Sequence, residues 1–355
     1  MSIERPVVRV MPLATIKQPR MLPVPGRVVV NQGQAVSATA TVAEAHLEPH
    51  YRVVNIAQAL KVPRSRADEY ITCRAGEVVH QGDALAEKKG VVRQIVRSPV
   101  DGEVVVAGEG QVLLREYREP WELAAGLPGK VTRVFPERGV ELTTKGTVID
   151  GAWGNGKLAY GLIHPLTEAA DQPITPDLLS VELRGLVLVG GVLDNARVLK
   201  LAEDLPARAL IVGTMRATLI PEALQASFAV LVTDGFGSGG MNARAFRLLT
   251  TSANRQAAVL AEAPSPYEGR RPVIAVPLTS ADFPPEPPSA APIEEGTTVR
   301  IVRAPYLGAV GTVVSLPEGM VRFANGVRAP AVDVRLESGE RVTVPVANVE
   351  VLIQS

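Results

Sequence analysis

A single cysteine in 355 residues, Cys73, excludes an intramolecular disulfide and cannot build a multi-thiolate zinc site. A reducing compartment, the cytoplasm, is the expected setting. Histidine is nearly as scarce. His46 and His50 stand four apart, but Pro49 between them disfavours the helix that would aim both rings at one metal, and His80 and His164 are isolated. No metal site is expected. No apolar run approaches the roughly 20 residues that span a bilayer, and the first 25 residues lack a signal-peptide centre, so no membrane partner is expected. Net charge is also missing, because 37 Lys and Arg balance 37 Asp and Glu. Binding to nucleic acid or anionic lipid would therefore need a local patch. Aromatics make up only 4%, which leaves Val, Ala and Leu to fill the cores.

What is present is a pattern that changes along a chain long enough for two or three domains. Residues 1–21 read as an N-terminal tail, where Arg5, Arg9, Lys17 and Arg20, continued by Arg27, outnumber Glu4 and can meet a polyanion or keep the segment solvated. From 22 to 165, short Val-rich runs alternate with Gly, Pro and Asp turn signals, which predicts a β domain. Gly33, Val36, Val42 and Ala43 are matched 43 positions later by Gly76, Val79, Leu85 and Ala86. A second element recurs as Pro25-Gly26-Arg27-Val28, Asp101-Gly102-Glu103-Val104 and Pro128-Gly129-Lys130-Val131. From 166 to 279, apolar runs at 186–190, 209–213, 229–233 and 273–277 suit parallel strands buried on both faces. Helices are expected between them at 194–204, 220–227 and 242–253, with Asp194 and Asn242 as N-caps, giving a small Rossmann-like sheet. Residues 280–295 read as a Pro-rich linker, and 296–355 as a last β module.

Gly296, the alternating Val299 and Ile301, the turn Pro305-Tyr306-Leu307-Gly308, then Gly311 and Val313, resemble a KOW motif. The resemblance implies an SH3-like barrel that binds RNA or protein, as in NusG-type transcription factors and some ribosomal proteins. Gly76 to Ala86 followed by Ser98-Pro99-Val100-Asp101-Gly102-Glu103-Val104 resembles the barrel-sandwich hybrid of biotinyl and lipoyl carrier domains. In those domains a lysine occupies the hairpin tip. Here Val91 holds that position and Lys88 and Lys89 lie nearby, so no carried cofactor is implied. The expected fold class is multidomain β and α/β: barrel-sandwich hybrid, Rossmann-like sheet and KOW barrel.

Three motifs bear on chemistry. Gly235, Gly237 and Gly240 fit G-x-G-x-x-G between a predicted strand and a predicted helix, the context of a phosphate-cradling turn, though the same glycines can serve a loop at the sheet edge. Gly151 to Lys157 fits most of a P-loop pattern, but Leu158 replaces the magnesium-binding hydroxyl, so a Gly-Asn-Gly turn is expected. In the last module, Arg300, Arg303, Tyr306, Arg322, Phe323 and Arg328 can gather cations and aromatics on one loop face. Six arginines against seven acids over 294–355 leave that module about neutral. No Gly-x-Ser-x-Gly elbow exists, and Cys73 reads as a small buried hydrophobe.

The expected function is a non-catalytic, multi-module scaffold with protein partners and no cofactor. Two alternatives remain open. One is nucleic-acid binding through Arg303, Tyr306, Arg322 and Phe323. The other is a nucleotide-binding enzyme or sensor using Gly235, Gly237 and Gly240.

Overall fold

Valine-rich runs punctuated by glycine have few rotamers to lose on a pleated surface and favour strands. The computed structural model describes residues 4–47, 49–90, 93–117, 119–265, 270–278, 284 and 286–354. It is mostly β, with 47% strand against 14% helix. The largest element among the described residues is a mixed sheet of 17 strands. No described helix is long and apolar enough to cross a membrane.

The segment expected as a tail forms the strand Glu4–Met21. Counting its charges hid a second pattern: Val8, Val10, Ala14 and Ile16 are buried, and they recur with the strand period of two. This strand runs antiparallel to Gly139–Asp150, antiparallel to Ala290–Pro292 and parallel to Val349–Ile353. It therefore ties together parts of the chain that the sequence reading kept in separate modules.

Val187–Leu193, Ala209–Met215 and Ala229–Phe236, three of the four strands expected to be parallel, are so, with Val187 beside Ala209 and Ala209 beside Ala229. Helices Ala196–Asp204 and Ile220–Gln225 make the crossovers, and Ala243–Thr251 leads out of the third strand. The first begins one residue later than expected, because the Asn195 side chain, not that of Asp194, accepts from the Arg197 amide at 3.0 Å. The run Val273–Pro277 is not parallel. It pairs antiparallel with Gly139–Asp150 and with Gln256–Ala261, a strand the sequence reading left out. An apolar run buried on both faces carries no sign of direction. Among the described residues no helix lies between it and Gln256–Ala261, and the chain returns antiparallel.

A smaller sheet has its own core, and the large sheet itself runs on into a C-terminal unit. A four-stranded sheet orders Tyr51–Asn55, Gln111–Glu116, Gly102–Gly108 and Val78–Val79 over a core of its own that includes Ile56, Leu60, Leu85, Val104 and Leu114. In the C-terminal unit, Thr298–Ile301, Val310–Ser315, Ala331–Leu336 and Arg341–Pro345 follow as antiparallel neighbours, and Val349–Ile353 returns to pair with Thr298–Ile301. Its core takes in Val7 from the first strand, whereas Val8 and Val10 enter the core under the parallel trio and Ala14 and Ile16 enter that of the N-terminal β region.

Candidate functional site

In a parallel α/β layer, ligands bind beyond the carboxyl ends of the strands, which is where Gly235, Gly237 and Gly240 lie. All three have positive φ, 116°, 149° and 80°, a conformation that side chains with a Cβ rarely adopt. Their loop is folded down onto the strand ends. The Gly237 amide donates to Met215 O at 3.0 Å and the Met241 amide to Ala170 O at 2.7 Å. The Gly240 amide donates to Thr214 Oγ1 at 3.3 Å and the Asn242 amide to Asp234 Oδ2 at 2.9 Å. These four donors point at the protein rather than converging on one external anion. Of the three, only Gly240 serves close packing, since a Cβ there would lie 2.6 Å from Ala170 O, and Gly213 on the neighbouring strand does likewise with a Cβ position 2.1 Å from Met241 N, whereas Gly237 has nothing within 4 Å. The following helix is capped as predicted, with Asn242 Oδ1 accepting from the Arg244 and Ala245 amides.

The C-terminal unit closes over the same edge. Leu307 of the Pro305–Gly308 turn lies 3.8 Å from where a Cβ on Gly235 would stand. Beneath it, Arg300 enters the central layer with its side chain only 5% exposed. It donates to Thr233 O at 2.9 Å and to Glu350 Oε2 at 3.0 Å, and it faces Asp234 Oδ1 at 3.6 Å. Asp234 Oδ2 also accepts from Thr233 Oγ1 at 2.7 Å, and Glu350 Oε1 from Arg271 at 2.5 Å. Burial pushes the Glu350 carboxyl up, but Arg300 and Arg271 outweigh it and hold it below its ordinary value. Beside this network Asp150, 2% exposed, takes a forked contact from Arg9, with Nε to Oδ2 at 2.9 Å and Nη2 to Oδ1 at 2.7 Å. Burial lowers the Arg9 guanidinium and Asp150 raises it, and the net shift is upward. The space between the two clusters has no room for a water molecule. Arg300 Nε and Asp234 Oδ1 are left there without hydrogen-bond partners. Chemically the arrangement holds two layers together through buried charge.

Arg300 is thus a buried strut and not part of an exposed cationic face. The other residues expected on that face are divided between opposite ends of the unit. Arg303 and Tyr306 lie in the connection before Val310–Ser315, and Arg322 and Phe323 in the hairpin after it, so the strand's length, about 20 Å, separates them. Tyr306 packs on the core and its hydroxyl reaches Glu340 at 3.4 Å. Exposed Arg303 donates to Val302 O at 3.1 Å. In the hairpin Val321–Arg322 and Arg328–Ala329, exposed Arg322 stands directly across from exposed Arg328.

The five N-terminal cations are committed inside the chain. Arg5 donates to Val349 O and Ala347 O, Arg9 pairs with Asp150, Lys17 with Glu286, Arg20 with Glu262 and Arg27 with Glu44. In the Gly151–Lys157 segment Trp153–Gly154 pairs antiparallel with Leu231–Val232, and the chain then bends at Gly156, φ 84°, into Lys157–Pro165. Asn155 is a buried brace, donating to Ala223 O and Phe228 O and accepting from the Val230 amide. Cys73 is buried, and burial raises its thiol above the ordinary value. Among the described residues no three His, Cys, Asp or Glu side chains form a group able to hold a metal. Lys88 and Lys89 lie at the loop end of the hairpin Ala84–Lys88 with Gln94–Arg97, and Val91 falls outside the described residues.

Sequence reasoning missed Asp150, Asp234 and Glu350. The available signal was positional: Asp150 ends its strand and Asp234 lies just past an apolar run within its strand, where a buried carboxylate needs a partner. The chain matches no known family model and no curated protein.

Proposed function

We propose that the chain is a non-catalytic scaffold of a cytosolic assembly, built from a barrel-sandwich-hybrid-like unit, a Rossmann-like layer and a KOW-like barrel. One observation carries this reading. The strand-end crevice that an α/β enzyme or nucleotide sensor would use is narrowed by the chain's own buried Gly240–Met241 segment, the Leu307 turn and Arg300. Buried ion pairs fixing one layer to another suit a protein that presents surfaces at a constant geometry. The test is a thermal-shift panel of ATP, GTP, NAD, FAD and coenzyme A at saturating concentration. A ligand that binds only the folded state must raise its melting temperature, and none is expected to do so. A clear rise abolished by Gly237→Ala would replace the scaffold with the nucleotide reading.

A second reading, contact with single-stranded nucleic acid, is favoured by the hairpin, where Arg322 and Arg328 stand opposed with no acid paired to either among the described ion pairs, next to Phe323. Like charges directly across a ladder cost stability unless an anion joins them. RNA affinity of the full chain measured across salt separates the two readings. The scaffold predicts weak binding and a shallow salt slope, because few phosphates can be neutralised.

A further inference from the structure

The four-stranded sheet has one face on its core and one in solvent, and the solvent face is arranged unusually. Register places Tyr51, Arg115, Glu103 and Val78 in one row across the four strands, and Val53, Leu113 and Val106 in the next. Tyr51, Val53, Val78 and Val106 are 54%, 57%, 53% and 52% exposed, although Val104, Val112 and Leu114 on the opposite face are fully buried. Antiparallel sheets with one wet face normally alternate apolar inside with polar outside, and here Tyr51, Val53, Val78 and Val106 stand outside around the Arg115–Glu103 pair. A contiguous exposed apolar face of this kind marks an interaction site.

The charges on the face say what fits it. Arg115 and Glu103 form an ion pair at the centre of the first row. Consider a two-fold axis lying along the strands between Gln111–Glu116 and Gly102–Gly108. It sets Glu103 of a second copy over Arg115 and Arg115 of that copy over Glu103. The same operation sets Val78 over Tyr51 and Val106 over Leu113, with Val53 at the rim. The face is its own complement. We infer that it is the interface of a homodimer, two sheets packed face to face at about 10 Å. Such an isologous contact closes on itself and does not grow into fibres.

This goes beyond the scaffold reading, and its failure would leave that reading intact. The face is small, in the class below about 1,200 Å² of total burial, so association in the micromolar range is expected. The experiment is sedimentation velocity on the full chain from about 1 to about 100 µM, a range that brackets such a dissociation constant. The sedimentation coefficient should rise from monomer to dimer. Val106→Glu, which buries a charge in the apolar row, should weaken association at least about tenfold. Arg115→Glu, which faces two carboxylates across the axis, should do likewise. Combining Arg115→Glu with Glu103→Arg should restore the dimer, because the exchanged row is again its own complement. A monomer at every concentration, or a dimer indifferent to Val106→Glu and to Arg115→Glu, overturns the proposal. Failure of the double exchange to restore association would also overturn it. All the altered positions are on the outer face, and an unchanged melting transition verifies the fold. Should Val106→Glu not fold, the Arg115 and Glu103 exchange decides alone.

Discussion

Gly26, Gly102 and Gly129 occupy the same place in three short repeats, and their environments explain the repetition. A Cβ at these positions would lie 2.2, 2.4 and 2.7 Å from Glu44 O, Arg115 O and Thr143 O, so each glycine lets two strands approach backbone to backbone. Gly108, in the same strand as Gly102, has nothing within 4 Å. Gly102→Ala is therefore expected to cost about 2–3 kcal/mol by overpacking, while Gly108→Ala stays within about 1 kcal/mol of wild type. Urea denaturation of the pair measures the difference, and equal costs would remove the close-approach explanation. The repeats were legible as repeats because glycine recurs at fixed offsets. Which neighbour each glycine touches was not, since that depends on pairing with residues 13 to 18 positions away. Arg300 was legible only as a cation. Its burial follows from Val299 and Ile301 flanking it in a strand whose two faces are both covered.

At the level of elements, the parallel trio was the part most readable in advance, because long apolar runs alternating with capped helices leave few other arrangements. Strand direction at Val273–Pro277 and the existence of Gln256–Ala261 were not readable, for pairing partners and not local composition decide both. The C-terminal unit meets this layer through Arg300, Asp234 and Glu350, which gives the contact a pH dependence. Glu350 is held below its ordinary value when folded. Its contribution is fully present above the unfolded carboxyl value and is lost as pH falls through the depressed folded value. Acid denaturation curves should show this loss below about pH 4, the region of an ordinary Glu. Glu350→Gln should flatten that limb. Arg300→Met, which strands two buried carboxylates, should cost about 3–5 kcal/mol at neutral pH. If Arg300→Met changed the urea midpoint no more than a surface substitution, the strut would be only a bystander.

On the scale of the whole molecule, the sequence reading divided the chain at points where composition changes, but the 17-stranded sheet runs across them. Core and sheet are continuous through Glu4–Met21, so the central layer and the C-terminal unit are expected to open together. Hydrogen exchange should give amides of Val187–Leu193 and Thr298–Ile301 similar opening free energies in the intact chain. Removing residues 1–11 should separate them and lower stability by at least about 3–5 kcal/mol, since Asp150 loses Arg9 while still buried. A C-terminal unit that already exchanges far more readily in the intact chain would contradict this. The same strand has a consequence for how the protein is made. Arg5 bonds to Val349, 344 residues away, so an early-synthesised edge must wait on the ribosome for a partner that emerges only after nearly all the intervening chain. Until Val349–Ile353 has been made, the edge of Glu4–Met21 that pairs with it is open to a chaperone or a neighbouring nascent chain.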